Sequence, residues 1–113
     1  ANKSFFLRSG CKANGMRQLC LEISQIKKSD LSEIDFSTRM QQTLVEPENI
    51  TIKGYPGLYA DRRYQLSRNY KPENTVDLPT LAFSTETVNI KIECHRVCTR
   101  QEVIKIAESL QQK

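Results

Sequence analysis

The segment Val88-Asn89-Ile90-Lys91-Ile92-Glu93 sets an apolar residue against a polar one for six positions, the period of a strand with one buried face. A few residues later the period changes. Thr99 stands three positions before Glu102, the spacing of a capping box, and Val103, Ile106, Ala107 and Leu110 then recur at helical intervals. A half-buried strand followed closely by an amphipathic helix buries both apolar stripes if the helix lies on the sheet that contains the strand. The expected fold is therefore α+β, a twisted antiparallel sheet with a C-terminal helix packed on one face.

The rest of the chain supplies further strands. From Arg17 to Lys28, Leu19, Leu21 and Ile23 alternate with Cys20, Glu22 and Ser24, again a period of two. Phe5-Phe6-Leu7 reads as another strand or a packed arm, set off by the turn-prone residues Ser9 to Gly15, in which Asn14-Gly15 is a hairpin dipeptide. Ser29 or Asp30 caps a short helix carrying Leu31, Ile34, Met40 and Leu44. Glu46-Pro47-Glu48-Asn49 breaks it. Ile50-Thr51-Ile52 resumes the alternation, Gly54-Tyr55-Pro56-Gly57 interrupts it with a bulge or turn, and Leu58-Tyr59 begins the next strand. Residues 61–80 are polar, contain Pro72 and Pro79, and read as a long hairpin connection to the strand led by Leu81 and Phe83.

At 113 residues, with 38% hydrophobic content, no Trp and four Phe, residues 1–113 suit a single domain whose core is thin and built mainly from Leu, Ile and Val. Covalent staples would help such a core, and four cysteines are present. Cys11, Cys20, Cys94 and Cys98 read first as two disulfides formed in an oxidising compartment, with three connectivities open. The local pairing, Cys11 with Cys20 and Cys94 with Cys98, is preferred because each pair brackets a turn. The rival is zinc held by Cys94, His95 and Cys98 together with Cys11 or Cys20. Neither pair has the commoner Cys-x2-Cys spacing, so no metal and no cofactor is assigned. The beginning at Ala1-Asn2-Lys3 suits a mature secreted chain or an excised domain.

Catalytic chemistry finds little support. His95 is the one histidine, and a neighbouring cysteine in sequence rarely points at it as a nucleophile must. Asp30, Glu33 and Asp35 suit helix-start charges better than an acid–base pair. The net charge of +4 is uneven: residues 1–28 carry six cations against Glu22 alone, whereas 29–49 carry five acids against Arg39. This falls short of the basic clustering of a nucleic-acid binder, and no apolar run has the roughly 18 residues of a membrane-spanning helix. The surface singled out for binding interleaves cations and aromatics: Tyr55, Tyr59, Arg62, Arg63, Tyr64, Arg68, Tyr70 and Lys71. Such a surface binds anions or stacks on rings, and its partner would be an acidic protein or an anionic envelope component.

The second half of the chain carries a resemblance. ENITIKGYPGLYA, an alternating hairpin and then TRQEVIKIAESL follow the order of a domain of unknown function. That domain is found at the C-terminal end of bacterial secreted and membrane-anchored proteins, some related to lipoprotein-sorting or anti-sigma-factor-like proteins. The chain resembles it over about residues 45–112, with a looser echo in the strand at 17–28. It departs where the family has a Trp and an aromatic on the hairpin, positions held here by Leu81, Phe83 and Ile90, and where Cys94 to Cys98 replace a short turn. The resemblance implies an extracytoplasmic accessory domain and brings no catalytic residue. The expected function is a non-catalytic extracytoplasmic accessory or binding domain. The alternatives are a secreted interaction module, of inhibitor or receptor-binding type, that uses the basic-aromatic segment, and then a zinc- or thiol-dependent protein.

Overall fold

The computed structural model describes residues 5–13, 16–65, 74–95 and 98–110, with side chains described from residue 21 onward. Six strands form one antiparallel sheet: β1 (Phe5–Ala13), β2 (Met16–Lys27), β3 (Glu48–Ile52), β4 (Tyr55–Tyr64), β5 (Thr75–Ser84) and β6 (Val88–Cys94), in the order β1-β2-β6-β5-β4-β3. Helix α1 (Glu33–Thr43) links the β1–β2 hairpin to the far edge strand β3, and α2 (Arg100–Ser109) follows β6. From β3 the chain meanders back through β4 and β5 until β6 pairs with β2.

The alternation of β6 sets the architecture. Ile92 stands in register with Leu81 on β5 and Ile23 on β2, and Leu81 with Tyr59 on β4, so one row of side chains crosses four strands. A second row joins Ile90 to Phe83 and Gly57. Val103 and Ala107 of α2 close on these rows, and with Ile52 and Cys94 they complete the larger apolar core. Thr99 caps α2 as the sequence requires: its hydroxyl accepts from the Glu102 amide at 3.1 Å while the Glu102 carboxylate accepts from the Thr99 amide at 3.2 Å. The C-terminal helix therefore packs on one face of a twisted sheet, as expected.

Helix α1 covers the opposite face. Ser32, rather than Ser29 or Asp30, caps it by accepting from the Asp35 amide, because the chain first turns at 28–30 with Asp30 and Leu31 bonded back to Lys27. This cap shifts the buried stripe. Phe36, Met40 and Leu44 face Leu58, Ala60 and Ala82 of the sheet, while Ile34 is 77% exposed.

Three other boundaries move. The interruption at Gly54 to Gly57 is narrower than expected: Lys53 (φ 51°) and Gly54 (φ 86°) alone make the turn, with the positive φ at both central residues that defines a type I′ hairpin. Pro56 and Gly57 belong to β4. Gly57 is required by proximity, since a Cβ there would lie 2.8 Å from the Ala82 carbonyl oxygen and 2.9 Å from the Phe83 Cβ. Residues 61–80 are not one long connection: β4 runs to Tyr64 and β5 begins at Thr75. Pro79 is tolerated because the β4–β5 register shifts between Ala60 and Arg62, opposite Thr80 and Asp77, and a bulge is where a strand accepts a residue without an N–H. Finally, β1 continues to Ala13 through most of the turn-prone segment, pairing with Met16 across a two-residue connection.

Cys94 and Cys98 form a disulfide with Cα atoms 6.3 Å apart, tying the end of β6 to the residue before the α2 cap. The expected Cys11–Cys20 pair lies outside the described side chains. Replacing Cys94 and Cys98 together by Ser opens a loop of only a few residues, so the expected loss is about 2 kcal/mol. Urea unfolding should show a lowered midpoint with an unchanged slope, and an unmoved midpoint would mean that the capping box alone secures α2.

Candidate functional site

The polar phase of the central strands is not a solvated face. Asn89 is fully buried, and Ser24, Thr80, Ser84 and Glu93 are nearly so. Buried polar groups must find partners, and these do. The Asn89 amide donates to the Leu31 carbonyl at 2.7 Å and its oxygen accepts from the Ser84 hydroxyl at 2.7 Å, fastening the entry of α1 to the sheet. Glu93, whose side chain is 5% exposed, takes Arg63 Nη1 on one carboxylate oxygen at 2.7 Å and Lys91 Nζ on the other at 3.2 Å. Its cross-strand neighbour on β2 is Glu22.

Arg63 and Lys91 open into a cleft of about 420 Å³ between α1 and strands β2 and β6. Ile26, Leu31, Phe36 and Met40 make its apolar wall, and Arg39 stands on its α1 side. Among the described residues that line it, three are cationic and none is acidic. The three cations differ in freedom. Arg63 and Lys91 are tethered to Glu93, whereas Arg39 is exposed and makes no ion pair among the described residues. A low-dielectric wall strengthens the field of such cations relative to open water, and Arg63 and Lys91 each carry more donors than the one contact each makes to Glu93 among the described residues.

The basic-aromatic residues chosen from the sequence are divided by the sheet. Tyr59 is buried against the α2 core, where its hydroxyl donates to Asp61 at 2.8 Å and the Arg100 guanidinium lies 5.9 Å from its ring centre. Arg100 in turn forms a bidentate pair with Glu48. Tyr55 packs against the same core. Arg63 belongs to the opposite cleft, Arg62 pairs with Asp77 at the surface, and Tyr64 is half-buried at the end of β4. Arg68, Tyr70 and Lys71 lie outside the described residues. Of the five that are described, Arg63 alone lines the cleft. Arg39 and Lys91 were missed because a lone cation on a helix and a lysine in the polar phase of a strand read as solvated.

An open hollow beside the Cys94–Cys98 disulfide is bordered by Asp61, Asp77, His95 and Cys98. His95 is exposed, and no group of three ligating residues suited to a metal occurs among the described residues. Cys94 and Cys98 are bonded to each other, so neither is available as a zinc thiolate. No helix is long and apolar enough to cross a membrane among the described residues. No family model, curated protein or solved structure matches this chain.

Two outcomes follow from these contacts. Glu93→Gln keeps the shape but removes the charge on which Arg63 and Lys91 converge. It should lower unfolding stability by about 1–3 kcal/mol in urea titration. Burial, reinforced by the hydrogen bond to Asp61, pushes the Tyr59 hydroxyl above its ordinary value of 10.0. Because the folded pKa is raised, this contribution to stability is complete below pH 10 and falls away as pH rises further. Ultraviolet titration should show a late-ionising tyrosine that Tyr59→Phe removes.

Proposed function

We propose that this chain is a non-catalytic extracytoplasmic binding domain, and that the cleft between α1 and strands β2 and β6 is where it takes an anionic ligand. The observation that carries this reading is the charge of the cleft: Arg39, Arg63 and Lys91 line it, with no acid among its described lining residues. Two of these cations are held by the buried Glu93 carboxylate, so they are positioned before a ligand arrives and lose little side-chain freedom on binding it. Cations fixed beside an apolar wall serve recognition. The Cys94–Cys98 disulfide is compatible with an oxidising compartment.

Arg39 offers the clean test because it is exposed and its removal disturbs no ion pair among the described residues. Arg39→Gln should leave the unfolding curve in place yet weaken the binding of a small organic anion, measured by isothermal calorimetry, by about fivefold. The wild-type affinity should also fall as salt is raised. Anion binding that is indifferent to both Arg39 and salt would remove the cleft from consideration.

A further inference from the structure

Helix α1 rests on the sheet as a narrow ridge. Only Phe36 and Met40 within it are buried, with Leu44 at its C-cap. On the side away from the cationic cleft lies a second hollow of about 340 Å³ between α1 and the β3–β4 end of the sheet. Phe36 and Met40 line both spaces. Beneath α1 the sheet carries small side chains, Ala60 and Ala82, with Leu58, so the two buried helix residues are the partition between an apolar-walled cationic cleft and its neighbour. Among the described lining residues the cations lie on one side only, with Arg63 and Lys91 at the β4–β6 side and Arg39 on the helix above them, whereas the second hollow is bordered by Glu33.

Resting on the anion-binding reading of this same cleft, we infer that its ligand is an amphiphile with one anionic head and an apolar tail, the class to which medium-chain carboxylates belong. The head sits among Arg39, Arg63 and Lys91. The tail runs along Phe36 and Met40 beneath α1. Methionine is the adaptable side chain here, since its unbranched thioether repacks at little cost around an inserted chain. An inorganic anion would use the cations and leave the apolar wall wet. A neutral lipid would fill the wall and leave the cations unanswered. Only a molecule with both parts matches both surfaces at once.

The test compares acetate, hexanoate and decanoate, together with uncharged 1-decanol, by calorimetry on the whole chain, with decanoate kept below its micellar concentration. A Met-methyl NMR spectrum follows Met40, one of two methionines. The expected result is affinity that rises with tail length by about two- to fourfold per methylene over the first several carbons. Decanoate should shift the Met40 resonance, and Arg39→Gln should weaken decanoate without affecting 1-decanol. If acetate binds as tightly as decanoate, the tail inference is overturned while the anion-binding reading stands. If 1-decanol matches decanoate, the cations play no part and both are overturned, as they are if none of the four binds. Decanoate that binds without moving Met40 sits elsewhere and also overturns the inference.

Discussion

A carboxylate removed from water is stable only if cations and hydrogen-bond donors replace the solvent it has lost, and Glu93 is in that position at the centre of the sheet. Arg63 reaches it from β4 and Lys91 from its own strand, one to each oxygen. A buried ion pair of this kind adds little net stability compared with a well-packed apolar substitute. What it does is fix geometry. With both oxygens engaged, the two cations cannot wander, and α1 can lie over the polar phase of the sheet without leaving a charge unmatched. Asn89 performs the neutral half of the same task, joining Ser84 to the Leu31 carbonyl. Among the described residues, no buried side-chain nitrogen or oxygen is left without a partner.

The two faces of the sheet thus do different work. Beneath α2 the rows built on Ile90 and Ile92 form a dry apolar core, closed by Val103 and Ala107 and stapled at one end by the Cys94–Cys98 disulfide. Beneath α1 the contacts are small side chains and a few polar links. Most of the hydrophobic stabilisation, which scales with apolar area removed from water, therefore comes from the α2 face. That division leaves the α1 face room for a cleft.

The sequence made the α2 face legible because each of its parts is written locally. Alternation in Val88 to Glu93, a capping box at Thr99 and a helical stripe from Val103 need no knowledge of distant residues. The α1 face was hidden for the opposite reason. Asn89, Lys91 and Glu93 occupy the phase that ordinarily faces water, and only the register of β6 with β2 and β5, together with a crossing helix, makes that phase an interior. A fainter signal was there: Ser24, Thr80, Ser84 and Asn89 are short polar residues, whereas a solvated strand face favours long charged ones. The strand ends near Pro79 were misplaced because a proline reads as a stop, and only the strand pairing discloses the bulge that accommodates it. Within the candidate site, Arg63 was within reach of sequence reasoning as part of a basic-aromatic run, but its partners there, Arg62 and Tyr64, serve other surfaces.

The arrangement at Glu93 also bears on how binding can be coupled to the fold. Arg63 and Lys91 are shared between a structural carboxylate and an open cleft, so an anion that arrives meets cations already engaged by Glu93. Arginine has five N–H groups in a fixed fork and lysine three on a rotating head, which lets each serve two acceptors at once rather than exchange one for the other. A second anion beside Glu93 is then tolerated because the excess positive charge, supplied by Arg39 from the helix, is not neutralised by any acid among the described lining residues. An anion seated there would bridge α1 to β4 and β6 through charges on all three. The helix that packs most lightly on the sheet would be the one that ligand binding tightens, and the opposite face, already dry and cross-linked, would stay as it is.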